Sequence, residues 1–163
     1  MDITSISAVS AWVWLWSLLC SFRRRGYFAH FLHSPSLSPH TQGSAHVCCV
    51  VVLRKVQAHV VYSWGAGMKG QNARGGELRN VFKPMAVDEL KAPLVVSCGS
   101  NHTACVTQEG KLYMWGDNSA GQCGMDIKER PFVPTPTQVP ALASKKVRTA
   151  ACGGRHTCVT GGF

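Results

Sequence analysis

Val61-Tyr62-Ser63-Trp64-Gly65 returns 51 residues later as Leu112-Tyr113-Met114-Trp115-Gly116, and Gly70-Gln71 returns in the same register as Gly121-Gln122. Two separate blocks holding one offset mark a tandem repeat. A third block, Cys98-Gly99-Ser100-Asn101-His102-Thr103, returns 54 residues later as Cys152-Gly153-Gly154-Arg155-His156-Thr157, so an intervening loop has lengthened by three residues. Loops absorb such insertions without disturbing the units they join. A weaker echo, Gly43-Ser44-Ala45-His46-Val47-Cys48-Cys49-Val50, resembles Gly99 to Val106 and reads as the tail of an earlier unit. Between His46 and Trp64 lie 18 positions where His102 to Trp115 spans 13. Either the first hairpin carries five extra residues, or Val50 to His59 is not a repeat segment.

Inside each unit the pattern is that of short strands. Ala104 to Thr107, then Gln108-Glu109-Gly110, then Lys111 to Trp115 predicts a hairpin whose turn uses the freedom of Gly110 to take a positive φ. Leu94 to Cys98 and Lys146 to Cys152 are further strand candidates, and no segment beyond residue 60 sustains a helical period. Ala66 to Pro93 and Asp117 to Ser144 are expected as long connecting segments. A period near 50 with several strands per unit predicts an all-β fold, a partial β-propeller.

The G-x-x-H-T block, the hairpin and the aromatic-x-Trp-Gly block followed by Gly-Gln resemble the repeat of the regulator of chromosome condensation family. The resemblance is good over residues 60–160, poor over 43–59 and absent over 1–42. It implies a propeller of seven blades when closed, of which these residues supply two units and part of a third. A fragment is therefore expected, whose open strand edges make it oligomeric, aggregation-prone or partly ordered in isolation. For function, the resemblance implies an interaction scaffold. The founding activity of the family is nucleotide exchange on the small GTPase Ran at chromatin, and relatives act as ubiquitin-ligase modules, membrane-trafficking regulators and a plant UV-B photoreceptor. The photoreceptor reading is disfavoured, because its hallmark repeat has Trp where this chain has Gly154.

The repeat frames the rest of the chain as a partial propeller at 43–163, preceded by an apolar leader and Ser/Pro linker at 1–42. That extension is expected to be irregular or helical. Ile6 to Phe22 is apolar for 17 residues and is followed by Arg23-Arg24-Arg25, so residues 6–25 are a candidate membrane anchor with the repeats on the cytosolic side. Neither a basic leader nor a small-residue cleavage site frames it as a secretory signal. The chain carries 17 Lys and Arg against 8 Asp and Glu, a formal charge of +9. Five of the basic residues precede residue 58, leaving 12 basic and 7 acidic beyond it, so the charge is not gathered on the repeats. Eight cysteines without a C-x-x-C pair read as small buried residues of a reducing compartment, which points to an intracellular protein, cytoplasmic or nuclear, with membrane anchoring as the alternative.

Residues that recur at one place in every unit are expected to hold units together. Trp64 and Trp115 are read as equivalent, buried packing residues, Gly65, Gly99, Gly116 and Gly153 as tight turns or close approaches, and His102 and His156 as hydrogen-bonded structural groups. Repetition argues against catalysis, and no phosphate-loop, zinc-hydrolase or nucleophile-elbow motif is found. The expectation is a non-enzymatic protein with no cofactor, no metal and no catalytic residue. Function should lie where units differ: Lys69, Arg74 and Arg79 in the first long segment, Lys128 and Arg130 in the second, and Arg155 in the third unit are candidate partner contacts. A protein partner is expected, a small GTPase being the one that the resemblance implies; chromatin or DNA phosphate is the further candidate, and a membrane through residues 6–25 belongs to the alternative, an anchored adaptor.

Overall fold

The structure, a computed structural model, describes residues 28–32, 49–55 and 58–162. Ten strands succeed one another as antiparallel meanders: β1 (Phe28–Leu32), β2 (Cys49–Lys55), β3 (Ala58–Gly65), β4 (Val81–Ala86), β5 (Pro93–Cys98), β6 (His102–Thr107), β7 (Leu112–Asp117), β8 (Phe132–Gln138), β9 (Lys146–Cys152) and β10 (Thr157–Gly162). They form a four-stranded sheet β1-β2-β3-β4, a second β5-β6-β7-β8 and a pair β9-β10. Each four-stranded sheet is a propeller blade, and the sheets stack: β5 lies against β2 and β3, and β9 of the pair against β5 and β6.

Register makes the repeat physical. Trp64 stands opposite Cys49 on β2, and Trp115 opposite Thr103 on β6. Both glycines after the tryptophans take a positive φ, 103° at Gly65 and 107° at Gly116, and at each the ladder to the outer strand slips by a bulge. The slip pairs Gly65 with Val81 and Gly116 with Val133. The turn of the second hairpin closes at Gly110, at φ 79°, with its amide on the Thr107 carbonyl.

Three features differ from the sequence expectation. The outer strands β4 and β8 lie inside the segments expected as long connections. Pro84, Pro134 and Pro136 mask them, yet proline is at home on an edge strand, where its missing donor would face solvent. β1 falls within 1–42, where an irregular or helical extension was expected, and pairs with β2. The first hairpin is a true repeat element with longer strands, but Cys49 and not Val47 faces Trp64, so the echo of His102 at His46 is out of register. Residues 6–25 lie outside the described residues; among those described, no helix is long and apolar enough to cross a membrane.

The core is the stacked blade faces: Val61, Val96, Ala104, Val106, Met114, Trp115, Val133 and Val147. Cys98, Cys105 and Cys123 are buried within it, none of them in a disulfide. Burial pushes the thiols of Cys105 and Cys123 up to about 12, which keeps them protonated and unreactive at neutral pH.

Candidate functional site

The recurring side chains sit where one blade meets the next. Trp115 is fully buried, and its indole N–H donates to the Gln71 main-chain carbonyl of the preceding unit at 3.0 Å. Gln71 is held ready by its own side chain, whose Oε1 accepts the Lys69 amide at 2.8 Å. Gln122 does the same for the Ala120 amide at 2.8 Å, and its carbonyl accepts Thr157 Oγ1 from the following unit at 2.9 Å. The Gly-Gln pair is thus a brace that presents one carbonyl to the next blade.

His102 completes the joint. Its ring is buried, with Nε2 and Thr157 Oγ1 at 2.9 Å across the blade interface, and its carbonyl accepts the Gly99 amide at 2.8 Å. A Cβ at Gly99 would fall inside the imidazole, which explains why the block needs glycine three residues ahead of histidine. Gly153 and His156 repeat the local bond at 2.9 Å, but the His156 side chain is exposed. Trp64 likewise is only half-buried, a correction to the expectation of two equally buried tryptophans. The reason is the same for both: Trp115 and His102 are covered by neighbouring units, and no such neighbour covers Trp64 or His156 among the described residues.

Burial holds the His102 imidazole below its ordinary range; the nearby His156 backbone and the charge of Asp117 pull it up, while the charge of His156 pulls it further down. The unfolded ring titrates near pH 6.5, so below that pH the unfolded chain binds more protons than the folded one. The His102 contribution to stability is therefore whole above about pH 6.5 and is lost as pH falls from there toward the lowered folded value. Urea midpoints between about pH 7.5 and about pH 5.5 should fall, and His102→Gln should flatten that slope. A slope identical in the two proteins would contradict this assignment.

The candidate partner contacts are spread over three units. Arg74 is turned inward, contrary to its reading as a surface contact: Nη1 donates to the Ala86 carbonyl at 2.7 Å, and Nη2 to the Met85 carbonyl at 2.7 Å and to Ser63 Oγ at 2.9 Å. It clamps the bulge between β3 and β4. Lys69 reaches across to the second unit and stands 4.7 Å from the centre of the Phe132 ring. Arg79 pairs with Glu77 at 2.8 Å on the surface. Lys128, Arg130 and Arg155 are exposed, the first two in the loop after Asp126.

Sequence reasoning missed two features. Gly65-Ala66-Gly67-Met68-Lys69-Gly70 has the spacing of a dinucleotide fingerprint directly after a strand, but turns follow it where that motif requires a helix. The other is the asparagine brace inside each long loop. Asn118 Nδ2 donates to the carbonyls of Met125 at 3.1 Å and Arg130 at 2.8 Å, and its Oδ1 accepts the Cys123 amide at 3.0 Å. Among the described residues, no group of three or more His, Cys, Asp or Glu gathers as a metal site.

This architecture is that of a blade-repeat protein joined through Trp, Gln and His. The model of the regulator of chromosome condensation (RCC1) repeat matches residues 59–106 and 109–160, and a second model of that repeat matches 95–122. The chain belongs to the RCC1 repeat family. It is 37% identical over 99 residues to the human E3 ubiquitin-protein ligase HERC2, covering 60% of this chain and 2% of HERC2. To the dog X-linked retinitis pigmentosa GTPase regulator it is 50% identical over 68 residues, 42% of this chain and 7% of that protein. The chain thus spans a small part of these relatives. Among solved structures, Prp20p from Saccharomyces cerevisiae superposes with a TM-score of 0.58 at 21% identity, over 71% of this chain and 28% of that one. Human WBSCR16 gives 0.56 at 21% identity, over 81% and 33%. Both likenesses bear on the fold, a partial propeller.

Proposed function

We propose that this chain is a non-enzymatic, intracellular protein-binding propeller module, whose partner is held by the loops that differ between units. The observation that carries this is the use of the recurring residues: the Trp115 indole bonds the Gln71 carbonyl across one blade joint, and His102 Nε2 and the Gln122 carbonyl both bond Thr157 across the next. What varies is left on the surface, with Lys128 and Arg130 exposed in one loop and Arg79 in another. The absence of a disulfide among the buried cysteines described supports a reducing compartment. The finer reading is nucleotide exchange on a small GTPase, and it is supported by likeness to Prp20p, a protein described by its binding to Gsp1p and histones. Exchange needs no covalent step: a module that binds the empty GTPase more tightly than the loaded one shifts that equilibrium.

The experiment mixes the full chain with a Ran-type GTPase carrying a fluorescent nucleotide. Under the exchange reading, nucleotide release accelerates with protein concentration, and Lys128→Glu with Arg130→Glu weakens the effect. Release at the rate of the GTPase alone would remove exchange and leave the binding reading to a direct pull-down. Failure of that pull-down with both GTPase and histone would overturn the choice of partner.

A further inference from the structure

The hairpin turn between β6 and β7 gathers three segments at one end of the second blade. The Gln108 amide donates to the Ala92 carbonyl just ahead of β5, and the Gly110 carbonyl accepts the Val147 amide at the start of β9, each at 2.9 Å. A Cβ on Gly110 would stand 3.4 Å from that of Lys146. These contacts bring Lys91, Lys111, Lys145 and Lys146, all exposed, around one turn. Of the nearby carboxylates, Asp88 acts on Arg74 by its charge, and Glu89 is exposed two residues before Lys91. Glu109 stands on the turn itself, with its Oε2 at 2.7 Å from Lys111 Nζ. We infer that this turn is a binding site for a small, multiply phosphorylated anion of the inositol polyphosphate class, and that Glu109 occupies it in the free protein.

Lysine ammonium groups are compact point charges on flexible stems, suited to several phosphates at once. The arrangement favours a compact ligand. Its cations come from three segments that converge on one turn, whereas a nucleic-acid strand requires a charged groove that tracks its backbone. Glu109 shows the sign that the site prefers: its hydrogen bond to Lys111, the charge of Lys111 and, after these, the charge of Lys91 hold its carboxyl below the usual range. The pair stays open to water, with side-chain exposures of 46% for Lys111 and 70% for Glu109, so a ligand displaces the carboxylate at little cost. The site stands apart from the loop-binding reading. Lys69, Lys128 and Arg130 lie in the loops after Gly65 and Gly116, at the other end of these strands.

The test titrates the full chain with inositol hexakisphosphate by calorimetry, at about 0.05 M and about 0.5 M salt. We expect saturable one-to-one binding that weakens at the higher salt, and a loss of about tenfold or more when Lys91→Gln and Lys146→Gln are combined. Glu109→Gln removes the resident carboxylate and should tighten binding by about threefold. Lys83→Gln, which removes an exposed cation from β4, should change it by less than about twofold. No saturable heat would overturn the inference, as would a loss from Lys83→Gln equal to that from Lys91→Gln, because net charge alone would then account for binding. Glu109→Gln binding no more tightly than the parent would overturn the role given to Glu109. A polyglutamate peptide that competes as well as inositol hexakisphosphate would assign the turn to an acidic protein segment. Vesicles containing phosphatidylinositol bisphosphate that carry the protein, while free inositol hexakisphosphate fails to compete, would assign it to a lipid surface. Either result would overturn the choice of ligand. Nucleotide exchange and the pull-down are read separately, so failure here is distinct from failure of the loop-binding reading.

Discussion

Trp115→Ala is expected to lower the unfolding free energy by about 3–5 kcal/mol, the range for emptying a large buried aromatic site. The indole is completely enclosed, it bridges two blades, and its N–H is bonded to the Gln71 carbonyl. Three variants separate these contributions. Trp115→Phe keeps most of the ring but strands that carbonyl, at a cost of about 1–3 kcal/mol. Trp64→Ala removes the same side chain from the matching strand position, where it is only half-buried, and should cost roughly half as much as Trp115→Ala because hydrophobic stabilisation scales with the area removed from water. Urea unfolding of the three variants beside the parent decides it. A cost under about 1 kcal/mol for Trp115→Ala, or equal costs at the two tryptophans, would refute the account of blade packing given above.

That contrast also marks how far the sequence can be read. Two blocks at one offset locate β3 and β7, the Gly-Gln braces and the tryptophan register, because a repeat must use the same groups at the same joint each time. The hairpin over β6 and β7 follows from alternation and a turn glycine, and β5 and β9 from short apolar runs. Legibility stops where local pattern is overridden. β8 carries Pro134 and Pro136, and its half-buried face is set by another unit: the Gly75 amide bonds the Pro134 carbonyl at 3.0 Å. Its counterpart β4 lacks that cover, and Phe82 there is 80% exposed. Arg74 looks like a surface cation in sequence, yet a bulge with free carbonyls draws it inward. Burial of the two tryptophans, alike in sequence, differs only through neighbours that no local window contains.

The brace asparagine gives the second large effect, because the first unit keeps its function while moving its position. At the place of Asn118 the first unit has Gly67, and at the place of Cys123 it has Asn72. Asn72 Nδ2 donates to the carbonyls of Gly65 at 3.0 Å and Arg79 at 3.3 Å, and Arg79 is the counterpart of Arg130, which Asn118 serves in the second unit. Asn72 is buried, so Asn72→Leu leaves two acceptors without a donor, each costing about 1–3 kcal/mol. Asn72→Asp, of nearly the same shape, should be worse, since it sets a carboxylate against those carbonyls. Returning the asparagine to its other place does not repair the loss. A Cβ at Gly67 would fall inside the Arg79 carbonyl oxygen, a backbone atom that cannot yield as a flexible side chain would. Gly67→Asn combined with Asn72→Leu is therefore expected to be no more stable than Asn72→Leu alone. Full recovery in that double variant would mean that the loop backbone relaxes freely, and that the two bracing arrangements are interchangeable rather than each fixed by its own main chain.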